Sequence, residues 1–425
     1  MIRRGRRSVF YVCLLGLPFI GAKADDEKRP SAAQLRQRDK AIRARLKQGD
    51  LDSMVNLLLL GTSFTRQPRI KMENLTEASK TGLLRARVDD LIAGLRSPGD
   101  NEHLLFLREV VQSNNVDLES PEAGRFIYSN LQRVAQERLA IAQRAAKASP
   151  ASLLDRASLF YDRGVSLDTG IFPNFSIEQT LLDLKQRRVL REGQIARAAV
   201  IGPGLDFIDK NEESAYDYYP PQTVQPFAMY DSLVRLGLAR SAGFSMTVFD
   251  ISPRVLDHFK RARDRARKNI GYTIQLPRAV SRPWPLGLVS YWSSWGEKVG
   301  TPVDPIRPPA IFPGLQTRAV RIRPEVVLAC QPVDLNIVVA QTNDQFDLMV
   351  GTNVFLYYDE VEQKLALENA GAMLKPGGLL LTNDKLPESP AGSPMGSMTH
   401  AGTTVVRFDD TDPSAREAVG WYRRQ

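Results

Sequence analysis

Apolar residues recur at helical spacing through the first third of the chain. Leu84, Val88, Leu91 and Leu95 lie four, three and four residues apart, and Ser97-Pro98-Gly99 ends that run. Leu104, Leu107 and Val111 repeat the stripe, as do Ile127, Leu131 and Val134. The spacing predicts an all-α region over residues 25–150, its stripes facing a core and its charged faces turned to water. Between stripes, residues 61–69 lose the period and mix hydroxyls with Arg66 and Arg69. They read either as a helix-to-helix connection or as the lining of a substrate entrance.

Beyond residue 150 the pattern changes. Pro150, Gly164, Gly170 and Pro173 loosen the chain, and residues 151–192 read as a linker with a leading helix. Ser176 with Gln179 three residues on has the form of a capping box, predicting a helix from there to about Leu190. Short continuous apolar runs follow, the mark of strands buried on both faces. Residues 198–201 run into Gly202-Pro203-Gly204-Leu205-Asp206, and residues 246–249 end at Asp250. Residues 326–329 read as a further strand leading to Asp334-Leu335-Asn336.

The stretch 346–383 settles how these strands connect. It holds an apolar strand, a helix and a second apolar strand, with Lys375-Pro376-Gly377-Gly378 between helix and second strand. That is a βαβ unit, and a parallel pair of this kind commits residues 193–425 to an open α/β sheet with helices on both faces. Ligands of such sheets sit at the carboxyl ends of the strands. Residues 403–408 and 418–422 alternate around a turn-rich connection and predict a closing antiparallel hairpin.

Two insertions interrupt the sheet. Residues 209–225 carry Tyr216, Tyr218, Tyr219, Pro220 and Pro221, a stiff segment expected to hang over the ligand edge. Residues 271–332 hold ten of the 27 prolines and three of the four tryptophans, Trp284, Trp292 and Trp295. A segment so long without helical period reads as a functional lid.

Charge adds little once it is located. The formal +9 includes Arg3, Arg4, Arg6, Arg7 and Lys23, all ahead of Asp25; the remainder carries only +4. No arginine cluster is interleaved with aromatics, so no nucleic-acid partner is expected. The N-terminal cluster instead belongs to an export signal over residues 1–24: a basic start, an apolar run from Val9 to Ala22, and Ala22-Lys23-Ala24 as the cleavage site. Arg6-Arg7-Ser8-Val9-Phe10 resembles a twin-arginine signal. The expected location is periplasmic or secreted; an uncleaved anchor or a different start codon are the alternatives. After signal removal no further apolar run approaches membrane-span length. Cys330 is then the lone cysteine and reads as a small buried hydrophobe; with only His103, His258 and His400, no metal is expected.

Candidate chemistry gathers at the predicted strand ends. Glycines at 202 and 204 let a ligand approach the backbone, and an acid at the end of the second strand, Asp250, is placed to accept hydrogen bonds from ribose hydroxyls. Phe207 stands where a nicotinamide-binding turn has its third glycine, which disfavours a dehydrogenase.

Over residues 193–425 the motifs resemble class I S-adenosylmethionine-dependent methyltransferases. Gly202-Pro203-Gly204 looks like the glycine turn under the cofactor, and Asp250 with Ile251 like the ribose-binding corner. Phe346-Asp347-Leu348 and Leu374-Lys375-Pro376-Gly377-Gly378, spaced across one helix, are similar to the signatures of the fourth and fifth strands. Asp334-Leu335-Asn336-Ile337 and the segment from Thr352 to Asp359 look most like the chemotaxis receptor methyltransferase branch. The resemblance implies a Rossmann-like seven-stranded mostly parallel sheet, S-adenosylmethionine as cofactor, and methyl transfer by in-line displacement. It implies cofactor contacts at Gly202, Pro203, Gly204, Asp206, Asp250, Ile251, Asp334, Leu335, Asn336 and Thr352, with Asn353, Tyr357 and Tyr358 at the reacting centre. Asn353 is the first candidate for positioning the acceptor; Asp206, Tyr357 and Tyr358 are the candidate bases. Val200 stands where the family has an acid and Asp206 where it has a third glycine. No motif names the acceptor. The alternative is an exported, non-enzymatic protein that keeps the fold as a binding module.

Overall fold

The structure, a computed structural model, describes residues 30–147, 170–207, 217–280, 284–312, 314–387, 398–409 and 415–425. The expected signal, most of the expected linker, and Tyr216 lie outside the described residues.

The helical region comprises α1 (Ala32–Leu60), α2 (Leu75–Lys80), α3 (Leu83–Arg96), α4 (Glu102–Ser113) and α5 (Glu122–Lys147). Ser31 and Gln34 cap α1 reciprocally: each side chain accepts from the other's backbone N–H. Every stripe residue named above is buried, and these residues share one core with Met54 to Leu60 of α1. The other end of α1 behaves differently. Ile42 and Leu46 leave that core and pack with Ile201, Phe249 and Leu335 of the sheet region. One helix therefore links the two cores.

The connection after α1 is held from within. The buried Arg87 guanidinium donates to the carbonyls of Leu58 (2.6 Å), Gly61 (2.5 Å), Gln67 (2.8 Å) and Pro68 (2.9 Å). The backbone N–H groups of Thr62 and Ser63 donate to the Asp217 carboxylate at 2.9 and 2.7 Å. Residues 61–69 are thus a structural connection; they line no part of the cavity at the strand ends.

The sheet region follows as α6 (Ile171–Gln186), β1 (Arg197–Ile201), α7 (Gln225–Arg235), β2 (Ser245–Asp250), α8 (Pro253–Arg267), β3 (Tyr272–Ala279), α9 (Leu286–Ser294), β4 (Gly300–Val303), β5 (Leu315–Ile322), α10 (Pro324–Ala329), β6 (Cys330–Asp334), β7 (Phe346–Gly351), α11 (Glu360–Met373), β8 (Leu374–Thr382), β9 (Met398–Arg407) and β10 (Arg416–Arg424). Seven strands form one sheet in the order β6-β2-β1-β7-β8-β10-β9. Only β10 runs against the rest, inserted between β8 and β9. The expected Rossmann-like sheet with its closing hairpin is therefore present. Register aligns its functional edge: Ile201 lies opposite both Phe249 and Gly351, and Asp250 opposite Asp334.

Two local expectations are corrected. The helix expected from Ser176 begins at Ile171, five residues earlier, with Pro173 in its first turn, where a missing N–H costs nothing. Ser176 is fully buried inside that helix, so it caps nothing. Residues 326–329 are not a strand: Pro324 and Glu325 open α10, and the strand is Cys330–Asp334, paired with Met246–Asp250. Proline at the first helical position and an acid in the first turn favour helix over a run of only four apolar residues. Cys330 is fully buried, and burial pushes its thiol up to about 12.

The long insertion is a folded unit with its own antiparallel sheet, β3-β5-β4. Tyr291, Trp295, Val320 and Ile322 share a core with α6, α7 and α8. It walls one flank of the main sheet.

Candidate functional site

The site is built where β1, β2, β6 and β7 end. Gly202 and Gly204 follow β1 with φ of 60° and 70°, the left-handed region that favours glycine. A Cβ at Gly202 would stand only 2.7 Å from Cγ2 of Val354. The turn is pinned to β2 by the Gly202 N–H donating to the Phe249 carbonyl at 2.8 Å.

Asp250 ends β2 and is 5% exposed. Its carboxylate accepts from the Ser252 N–H at 2.7 Å. Burial without a cationic partner pushes it up to about 7, against the pull of the Ser252, Gly204 and Ile251 backbone N–H groups. The Leu335 N–H donates to the Asp250 carbonyl at 3.1 Å, which brings the segment after β6 alongside.

The fourth wall comes from β7. Thr352 accepts from Gln225 at 2.7 Å and is buried against α7. Asn353, exposed, takes φ of 56°, unusual for a residue with a side chain. Asn383, just past β8, accepts from the Asn353 N–H at 2.8 Å and donates to its side-chain oxygen at 2.9 Å. Next to it, Asp384 accepts from the Phe355 N–H at 3.0 Å and caps the 3-10 turn Phe355–Tyr357. Burial pushes Asp384 up to about 7 as well. Tyr358 is buried, and burial lifts its phenol well above the ordinary tyrosine value.

A cavity of about 50 Å³ remains at this meeting point. Gly202, Gly204, Asp250, Ile251, Leu335, Asn353, Tyr357 and Tyr358 line it, so eight residues singled out from the sequence are brought together. Pro203, Asp334, Asn336 and Thr352 stand beside these residues without lining it. Asp206 is turned elsewhere: it bridges to Gln222, and its carboxylate accepts from Tyr219 and from the Gln222 amide, each at 3.3 Å. The first insertion, not a ligand, uses that acid.

The sequence reading missed α1. Leu46 lines the cavity. Arg43 donates to the Ile251 carbonyl at 3.0 Å and to Asp334 at 2.6 Å. Asp39 accepts from Asn336 at 2.9 Å. On the opposite rim Arg45 donates to the Tyr357 carbonyl at 2.5 Å, and Arg38 pairs with Asp359 at 3.3 Å. The residues of the floor suit a nucleoside. The space beside them is small, about 50 Å³ against the roughly 300–1,000 Å³ of sites for ligands of that size, because Leu46 of α1 enters it.

Solved structures with a similar outline are methyltransferases. The N-methyltransferase NodS from Bradyrhizobium japonicum WM9, with S-adenosyl-L-homocysteine, is 15% identical over 64% of this chain and 96% of its own, with a TM-score of 0.29. The glycopeptide N-methyltransferase MtfA, complexed with S-adenosyl-L-methionine, is 11% identical over 59% of this chain and 66% of its own, at 0.24. A TehB-like S-adenosylmethionine-dependent methyltransferase from Corynebacterium glutamicum is 11% identical over 60% and 98%, at 0.25. No protein-family profile and no curated protein matches the chain. At these TM-scores the likeness carries no weight of its own, and the fold rests on the strand order of the sheet.

Proposed function

We propose that the chain binds S-adenosylmethionine at the carboxyl ends of β1, β2 and β7 and transfers its methyl group to an acceptor held near Asn353. The observation that carries this reading is the convergence of the Gly202–Gly204 turn, the buried Asp250 and the Asn353 segment on one cavity, in a sheet whose one reversed strand lies second from the edge. The cofactor supplies a methyl on an already activated leaving group. The chain's own task is then to orient the acceptor and exclude water. Asn353, fixed by Asn383 on an exposed left-handed backbone, suits the orienting role. The resemblance of residues 352–359 to the chemotaxis receptor branch supports the same segment as the reacting centre. We further propose export of the chain, on the basic and apolar N-terminus.

One observation favours a second reading, that of an exported binding module without catalysis: α1 fills the cleft and Asp206 serves the first insertion. Calorimetric titration and thermal shift with millimolar S-adenosylhomocysteine separate the two. Saturable binding supports the first. No heat and no shift, in the wild type and in the α1 variants described below, leave only the second.

A further inference from the structure

We infer that the first half of α1 is a displaceable plug that competes with the cofactor for its own cleft, so that the described state is autoinhibited. The inference rests on the cofactor reading above. Three relationships carry it. First, Leu46 reaches the cavity formed by Gly202, Gly204 and Asp250 and leaves about 50 Å³, room for a few waters. A segment that merely covered a filled site would leave ligand-sized space beneath it.

Second, α1 satisfies the polar groups a nucleoside would meet. Arg43 takes the Ile251 carbonyl and Asp334, and Asp39 takes the Asn336 amide. Third, the attachment is of a kind that lets go. Arg38 pairs with Asp359 at 3.3 Å and Glu362 at 3.6 Å, Arg45 with Glu362 at 3.5 Å, and Arg254 of α8 with Asp50. The Arg38 and Arg43 side chains are 30% and 32% exposed. Glu362 and Arg45 are more buried, at 3% and 15%; the outer pairs, Arg38 with Asp359 and Arg43 with Asp334, are the weak ones that salt screens. Among the described residues, Ile42 and Leu46, with Leu35 half-buried beside them, supply the apolar contact of α1 on this side, whereas its second half is anchored by Met54 to Leu60 in the helical core. The helix has a firm root and a releasable tip.

The test compares wild type with Arg38→Ala/Arg43→Ala, titrated calorimetrically with S-adenosylhomocysteine, alongside hydrogen exchange of the wild type with and without that ligand. If the open state is a minor population of about 10% or less, freeing it tightens apparent affinity about tenfold or more. Raising salt from about 0.05 to about 0.5 M should act in the same direction on the wild type, because the Debye length falls below the scale of the rim. Bound ligand should speed exchange of the amides around residues 39–47. Equal affinity in both proteins, with exchange of that segment slowed by ligand, makes α1 a lid and overturns the plug while the cofactor reading stands. No binding by either protein overturns both. The wild-type exchange and salt measurements decide the matter even if the double variant folds poorly.

Discussion

Asn383 holds Asn353 twice, accepting from its backbone nitrogen at 2.8 Å and donating to its side-chain oxygen at 2.9 Å. Two residues thirty positions apart thus fix one left-handed backbone at the end of β7. Asn383→Ala should cost about 1–2 kcal/mol in urea denaturation, the value of the two hydrogen bonds lost to Asn353. Asn353→Gly should keep stability within about 1 kcal/mol, since glycine accepts positive φ, while reducing methyl transfer once an acceptor is known. A large stability loss in Asn353→Gly would show that the side chain serves folding rather than the site.

Asp384 gives a pH signature. Its folded value of about 7 lies above the ordinary 3.8, so the folded state binds the proton more tightly than the unfolded state. The sign follows: this contribution is fully present below about pH 4 and is lost as pH rises toward about 7. Asp250, raised to about 7, acts in the same sense, whereas His258, lowered to about 4 by burial, loses stability on acidification. Wild type minus Asp384→Asn isolates the first effect. The difference in unfolding free energy should change by about 1–3 kcal/mol across that range. Parallel pH profiles would refute the assignment.

Gly202 is required by its neighbour as well as by its φ. Gly202→Ala should destabilise by about 1–3 kcal/mol, because a Cβ would sit against Val354 on a left-handed backbone. Adding Val354→Ala should recover the contact part but not the backbone part. If the double variant is no more stable than Gly202→Ala alone, the Val354 contact is not the cause.

Arg87 is buried with four carbonyl acceptors and sits below its usual value, at about 10, through burial. Arg87→Met should therefore cost about 3 kcal/mol or more, leaving those carbonyls unpaired. Limited proteolysis should then cut first within residues 61–69. Retention of wild-type resistance would contradict the role given to the guanidinium.

The sheet was legible because strands buried on both faces leave apolar runs no surface element shows, and Lys375-Pro376-Gly377-Gly378 marks where a crossover helix returns. The position of the glycine turn was legible because a left-handed backbone leaving a strand favours glycine, and that of Asp250 because an apolar run ends on it. Residues 326–329 were not: four apolar residues have no period of their own, and Pro324 decided them. Asp206 was misplaced because a carboxylate beside a glycine turn has no sequence mark of its partner, here Tyr219 and Gln222. Most instructive is α1. Ile42 and Leu46 are spaced like any core stripe, and nothing in that spacing tells that the surface they meet is the floor of the cavity at the strand ends. Asn383 and Asp384 were within reach, since they stand at the carboxyl end of the second strand of the βαβ unit.

The most direct test of the central claim is calorimetric titration of S-adenosylhomocysteine into the wild type, Asp250→Ala and Arg38→Ala/Arg43→Ala. The account predicts saturable one-to-one binding that tightens about tenfold in the α1 variant and weakens about tenfold or more in Asp250→Ala. Binding indifferent to Asp250, or none by any of the three at millimolar ligand, would contradict it.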